Sequence, residues 1–540
     1  AILKEDLQFS HVIAIDFGTG ASGYGITPKL SSAQAMDQPR IEVLNPCDDG
    51  DDQKTPTTIL FSNEGEFLAF GKDALQMYAE MLDEEETALL FQTYKMHLLH
   101  MDKTAKAIDG RELDLMLVIS ESLRFISDKA IEKLQEQVGK IQKNRIRWVL
   151  TVPALWTEDQ KQFMRRAAMK AGIIDEINSA NLLLCLEPEG ASIQCRNDAE
   201  PTLRNQMTKG SVVMVLDCGG GTVDITVHKL KCEPEEQFVC DELLPSSGGC
   251  EWGSKFVDHH FEMFLAEFFG PELTESYYKN ATARLDILKH FEMLKRKFNS
   301  GVKSRLQLSY MSEELTGPML KKIAAAYNEG KPKEQQLTVK GASGVEMPEY
   351  LMKSFFKPLF EKIEAKVEEL LHEATNTGSP VNFIFMVGGF SESPYLKSYI
   401  KSKFETDGLT ILVPKRPQVS VIRGACMFGL NPRSISSRIS KKTYGINTLT
   451  TYDQVRHTEE KKVVIEGEDF CEDVFDAFVT KGQAVGIDEV HVKTYCPVRA
   501  RQTVMRIIFY CSDHESASFI DDRGVTKLGE LSIDIGRPFQ

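Results

Sequence analysis

Asp16-Phe17-Gly18-Thr19-Gly20 places a carboxylate, a hydroxyl and two glycines within five residues, directly after the apolar run 11–15. Glycines in such a turn let backbone N–H groups approach a phosphate with no side chain in the way. The carboxylate suits a water-coordinated magnesium ion, and the threonine can donate to phosphate oxygens. Taken alone, the segment also reads as an ordinary hairpin turn. Asp217-Cys218-Gly219-Gly220-Gly221-Thr222-Val223-Asp224 repeats the arrangement with a longer glycine run, again between β-rich segments. That run is costly in chain entropy unless close backbone approach or positive φ requires it. The two turns together read as facing a triphosphate from opposite sides. Asp224 reads equally as an indirect metal or nucleotide contact and as a turn-stabilising carboxylate.

A third glycine pair, Gly388-Gly389 with Phe390 behind it, follows the apolar run 383–387 and precedes SESPYLKSYI, a helix pattern with proline near its start. It can pass backbone against a sugar or an α-phosphate.

These turns need strands before them and helices after them. Apolar β-rich runs ending in glycine turns recur at 11–20, 212–227 and 383–390, and another strand is expected within RIRWVLTVPALW at 145–156. Between them, apolar residues return every three or four positions over 112–142, 158–171, 285–297 and 350–374, which predicts helices. Alternating strands and helices mean an α/β fold with mixed sheets, and the same design appears twice. The reading is two homologous lobes, about 10–210 and 211–430, with a cleft between them. Past Pro432 the texture changes. NPRSISSRISKK at 431–442 is basic and serine-rich, as a linker is, and KVVIEG, EVHVKTY, TVMRIIFYCS and KLGELSID predict a small β domain over 443–540.

A chain of 540 residues is too long for one core, and 42% hydrophobic with 26% charged residues is ordinary for a globular protein. A formal charge of −15 argues against nucleic acid or an anionic membrane as main partner. No apolar run is long enough to span a bilayer. The start, AILKEDLQFSHV, is acidic and does not read as a secretory signal, and its first Ala leaves room for residues upstream. Eleven cysteines show no CxxC or zinc-like spacing. Cys185, Cys218 and Cys426 sit in apolar segments, as buried thiols of a reducing compartment do, so a cytosolic setting is expected, with the nucleus also open to the chain.

The ordered set of turns resembles the actin, hexokinase and 70-kilodalton heat-shock protein superfamily, specifically its heat-shock branch and within it the divergent heat shock 70 kDa protein 12 subfamily. The resemblance covers about residues 10–430. RWVLTVPALW at 147–156 and LEPEGASI at 186–193 are similar to that branch's "TVPA" and "EPTAAA" segments, and the segment from Phe291 to Arg296 is similar to its adenosine-binding helix. TVPALW, EPEGASI and QTYKMHL carry the likeness to the divergent subfamily. The resemblance implies a two-lobed actin-like ATPase with ribonuclease H-like lobes in residues 1–430, and a stress-response, chaperone-like protein that binds ATP or ADP with Mg²⁺. It implies that Asp16, Asp217 and Glu187 organise the metal, mostly through water, and that Lys95 reaches the γ-phosphate. Catalysis would then rest on Lys95, Glu187, Asp217 and Thr222. Gly18, Thr19, Gly20, Ala21, Gly219, Gly220, Gly221, Glu292, Lys295, Arg296, Asn299, Gly388, Gly389 and Phe390 would bind the nucleotide. Together these supply positioning and charge, most of what phosphoryl transfer asks of a protein.

Each residue also has a plainer reading. Glu187, before Pro188, can cap a helix, Lys95 can be a solvated surface lysine, and Glu292 with Lys295 or Arg296 can form helix-surface ion pairs. Several positions depart from the family's pattern. Glu392 stands where an arginine usually stacks on adenine, Phe390 replaces a serine, Gln418 an aspartate and Gly20 a threonine. Phosphate handling is therefore better supported than adenine handling, with Phe390 available as apolar surface for the base. KTYGINT and LGELSID resemble pieces of the family's substrate-binding β-sandwich, while the hydrophobic linker and the helical lid have no counterpart. The expected partner is a protein client or signalling protein bound through 443–540. Three functions follow: an ATPase coupled to a protein partner, an ATP-dependent interaction scaffold, and a small-molecule kinase of the same superfamily. The kinase ranks last because no acid stands beside a sugar-binding loop.

Overall fold

The computed structural model describes residues 9–29, 39–47, 52–84, 86–279, 281–308, 315–497 and 502–536. Residues 1–8, most of the opening segment AILKEDLQFSHV that does not read as a secretory signal, lie outside them. The chain divides into two compact units. One comprises residues up to 239 together with 246–434; the other comprises 240–245 and 435 onward.

In the first unit, β1 (His11–Phe17) and β2 (Ala21–Pro28) form an antiparallel hairpin. Two short strands, β3 (Glu42–Leu44) and β4 (Thr55–Pro56), pair with β2. On the other side β5 (Ile146–Val152) lies parallel to β1, and β6 (Leu182–Leu186) parallel to β5. β1 and β5 are covered on both faces, which is why HVIAIDF and IRWVLTV are nearly continuous apolar runs. The second sheet repeats this plan. β7 (Val212–Cys218) and β8 (Val223–Leu230) form a hairpin, β9 (Phe383–Val387) runs parallel to β7, and β10 (Thr410–Leu412) parallel to β9. The strand orders β6-β5-β1-β2 and β10-β9-β7-β8 therefore match, as the repeated sequence pattern predicts.

The helices follow their sequence signals. α1 (Leu115–Val138) starts three residues later than the period suggests, because Asp114 accepts the Leu117 N–H at 2.7 Å as N-cap and the preceding 112–114 pair as a strand. α2 (Glu158–Lys170) opens on a Thr157/Gln160 capping box. α3 (Glu187–Asp198) begins with Glu187 and Pro188 in its first turn. Next come α4 (Lys255–Lys279), α5 (Ala281–Lys297), α6 (Glu349–Asn376), α7 (Pro394–Phe404) and α8 (Ser420–Leu430). α3 and α8 cross at glycines. A Cβ on Gly424 would lie 1.6 Å from the Gly190 carbonyl oxygen, so only glycine permits the crossing that fixes the start of α3.

A core sits under the first sheet, where Trp148, Phe17, Phe61 and Phe91 pack with Ile119, Leu123 and Ile126 of α1. No described helix is long and apolar enough to cross a membrane. All eleven cysteines are free thiols, and Cys185, Cys218 and Cys426 are buried.

The second unit differs from the sequence reading in three places. Within 431–442, expected as a linker, residues 435–439 form β11 (Ile435–Ile439), paired with Cys240 and Asp241. Its serines are half-buried and bonded: the Ser436 and Ser437 hydroxyls donate to Asp241 Oδ1 at 2.6 and 2.7 Å, and Ile435 is buried. β12 (Thr443–Thr451), β13 (Lys462–Ile465), β14 (Glu468–Val479), β15 (Ala484–Gly486), β16 (Val504–Ser512) and β17 (Val525–Asp534) follow. A five-stranded antiparallel sheet runs β13-β14-β12-β16-β17, while β15 pairs with β11. β14 was hidden from the sequence reading because acidic residues interrupt DFCEDVFDAFV. Conversely EVHVKTY, with its alternating pattern, is not a strand. Val490 and Val492 are exposed, and Tyr495 Oη instead donates to Asp476 Oδ2 at 2.7 Å. No α-helix occurs among the described residues after α8.

Candidate functional site

Within the first unit the turns after β1 and β7 meet. A Cβ on Gly221 would lie 2.8 Å from Thr19 Oγ1. A cavity of about 630 Å³ opens beside them and reaches the turn after β9. Asp16, Gly18, Thr19, Gly20 and Ala21 line it from the first turn, and Asp217, Gly219, Gly220, Gly221 and Thr222 from the second. Lys95, Glu187, Glu292, Lys295, Arg296, Gly388, Gly389 and Phe390 complete the predicted set. Asn299 stands apart: it is not in the wall, and its Oδ1 accepts the Ser300 N–H at 2.9 Å in the turn after α5.

The glycine run is held from behind by the start of α4. The N–H groups of Gly253, Ser254 and Lys255 donate to the carbonyls of Gly221, Gly219 and Gly220 at 3.0–3.1 Å. A side chain on Gly253 would put its Cβ 2.3 Å from the Gly220 carbonyl carbon. With its carbonyls engaged behind, the run turns toward the cavity.

Four carboxylates converge here. Asp16 is the next-to-last residue of β1, and its Oδ1 accepts from Thr151 Oγ1 at 2.9 Å. Asp217 and Asp224 stand opposite one another across the second hairpin. Glu187, on the first turn of α3, bonds through Oε1 to Lys95 Nζ at 3.1 Å rather than capping its own helix. Burial raises the Glu187 pKa to about 7 despite Lys95, with Asp16 and Asp224 adding to the rise. Burial, with Glu187, Asp224 and Asp16 nearby, holds the Asp217 carboxyl well above the usual range. Asp224 Oδ1 accepts the Leu155 N–H at 3.0 Å, tying β8 to the TVPALW segment, and it is not in the cavity wall.

Lys95 is not a surface lysine. It lies 3% exposed in the short helical turn Tyr94–His100, donates to the Phe17 carbonyl at 2.6 Å, and sits 4.9 Å from the Trp156 ring centre. A buried ammonium bonded to the turn backbone and to Glu187 is positioned to meet negative charge in the cavity.

On the opposite wall, the helix-surface pairs of α5 do form: Glu292 meets Lys295 at 2.5 Å and Arg296 at 3.6 Å. Lys295 is buried and also bonds Asp258 Oδ1 at 2.6 Å, so its charge anchors α5 to α4. Arg296 reaches Glu392 at 3.8 Å, which places a guanidinium beside the glutamate that departs from the family's pattern. Phe390 is buried and stacks on Phe356 at 6.3 Å. The carbonyl oxygens Gln418 Oε1 and Gln53 Oε1, both on wall residues, are enclosed with no hydrogen-bond partner among the described residues.

Sequence reasoning missed Lys54, whose ammonium lies 2.5 Å from Asp16 Oδ2, and Lys255, which pairs with Asp258 at 3.1 Å. Both line the cavity. Nothing in QKTPTT marks Lys54, because its role comes from pairing between β4 and β2.

The family model described as Hsp70 protein matches residues 120–429, more than half of the chain. Human heat shock 70 kDa protein 12A is 31% identical over 595 residues, covering 99% of this chain and 86% of that protein. The mouse protein of that name is 32% identical with the same coverage. Human heat shock 70 kDa protein 12B is 31% identical, covering 98% of this chain and 84% of that protein. With the repeated sheets and the facing glycine turns, these matches show that the chain belongs to the Hsp70 family.

Proposed function

We propose that this protein binds ATP in the cavity between the two glycine turns, hydrolyses it slowly, and couples nucleotide state to a protein partner bound through the C-terminal β unit. The two matching sheets are then the lobes of an actin-like ATPase. One observation carries the reading: both turns, the Lys95–Glu187 pair and Asp217 line a single cavity.

Glycine backbone and threonine hydroxyls cradle phosphate oxygens. Lys95 holds a positive charge where charge develops on the terminal phosphate. Glu187, with its raised pKa, accepts a hydrogen bond from the attacking water and aligns it. The donor set also suits magnesium. Burial and mutual repulsion hold Glu187 and Asp217 against ionising beside Asp16, and a divalent ion placed there would favour their charged forms. Among the described residues no three acidic, histidine or cysteine side chains come together as a direct metal cage, so Asp16, Asp217 and Glu187 would hold the ion through its waters. Magnesium would neutralise charge on the phosphates. The base would lie toward Arg296, Phe390 and Gln418, whose free carbonyl oxygen suits a ring amine.

Calorimetry with ATP, ADP and AMP in Mg²⁺ tests this reading. ATP and ADP should bind and AMP should bind far more weakly. Equal binding of all three, or of none, removes it.

A further inference from the structure

We propose that Lys54 is a tethered cation of the phosphate site, which neutralises Asp16 and lets the cavity hold nucleotide phosphates without a divalent ion. This inference rests on the nucleotide reading above.

Three observations carry it. First, Lys54 is fixed in place. Its neighbours Thr55 and Pro56 pair with Ser22 and Ala21 of β2. Thr57 Oγ1 then donates to the Gly18 carbonyl at 2.7 Å and bonds the Ser22 hydroxyl at 2.7 Å. The segment carrying Lys54 is thus stitched to the first glycine turn. Second, its ammonium sits at Asp16 Oδ2, the oxygen left after Thr151 takes Oδ1, so it occupies the carboxylate that would face a metal's water shell. Third, the two lysines of the carboxylate cluster differ in freedom. Lys95 is committed to the Phe17 carbonyl and to Glu187 and is enclosed. Lys54 has Asp16 as its hydrogen-bond partner and remains 16% exposed on the cavity wall. An ammonium carries three donors, so two remain for a phosphate oxygen.

The electrostatics agree. A phosphate entering a cluster of four carboxylates is repelled unless cations precede it. A lysine held by backbone pairing supplies one charge at no cost in ion capture. Lys54 also offsets part of the charge crowding at Asp217.

The test is calorimetry on the full chain with ADP and ATP, in Mg²⁺ and separately in EDTA, for the parent protein and for Lys54→Ala, Lys54→Gln and Lys54→Arg. Circular dichroism and melting curves would establish folding. The parent should lose less than about tenfold in affinity when Mg²⁺ is removed. Lys54→Ala and Lys54→Gln should lose at least about tenfold more in EDTA than in Mg²⁺, and Lys54→Arg should retain metal-free binding. Equal losses in both buffers, or none, would overturn the assignment while leaving the nucleotide reading intact. A parent protein that binds neither nucleotide in either buffer would remove both.

Discussion

At the scale of single residues, the cavity concentrates ionisable groups whose environments pull them in different directions. Lys95 stays bound to backbone and carboxylate, whereas Glu187 and Asp217 are held against ionising. Lys95→Ala and Asp217→Asn should each lower ATP hydrolysis by about a hundredfold or more with the melting curve preserved, since each removes charge positioning at the reacting phosphate. A steady-state ATPase assay checks this, and unchanged turnover in both variants would place the chemistry elsewhere. Glu187 also makes a pH prediction. Its folded pKa, raised from 4.5 to about 7, means that the folded state keeps a proton the unfolded chain releases across that window. Stability from this group is therefore full below pH 4.5 and is lost as pH rises through 7. Without nucleotide, the parent's melting temperature should fall between pH 5.5 and 7.5 more steeply than that of Glu187→Gln. Parallel curves would show that this carboxyl is not the titrating group.

At the scale of elements, two glycine contacts set where the functional side chains stand. Gly424→Ala would drive a Cβ into the Gly190 carbonyl and force α3 and α8 apart. The expected destabilisation is at the upper end of about 1–3 kcal/mol, read by urea unfolding, with weakened nucleotide binding because Glu187 begins α3. Gly253→Ala should act more locally, displacing the glycine run while leaving the sheets in place. Hydrogen exchange should then quicken at residues 219–221 and stay unchanged in β1. Little of this was legible beforehand. Periodicity marks the helices and the glycine runs mark the turns, but which glycine meets which backbone depends on packing between segments 30 to more than 200 residues apart. The same limit hid β14, whose acidic residues break its apolar pattern, and made EVHVKTY look like a strand although it joins no sheet among the described residues.

At the scale of the whole chain, the compact units do not follow simple sequence cuts. Residues 240–245 belong with 435 onward, and β11 pairs with Cys240 and Asp241. A chain ending at Leu430 should therefore show faster amide exchange at 240–245 than one ending after β15. Equal exchange would show that β11 does not protect this segment. Partner coupling is tested by release of a bound unfolded peptide on adding Mg-ATP; no release under any nucleotide would favour a scaffold over a chaperone-like cycle. The sequence by itself determined the α/β class, the repeated hairpin plan, the paired glycine turns and the family, because glycine runs after apolar strands are local signals. Tertiary structure decided that Lys95 is buried, that Asn299 stands outside the cavity, that 435–439 form a strand and that Lys54 meets Asp16. The burial of Lys95, the strand at 435–439 and the Lys54–Asp16 pair are contacts between distant segments, and the place of Asn299 is set by where α5 ends against the cavity wall; residue type and spacing within one segment carry no record of either.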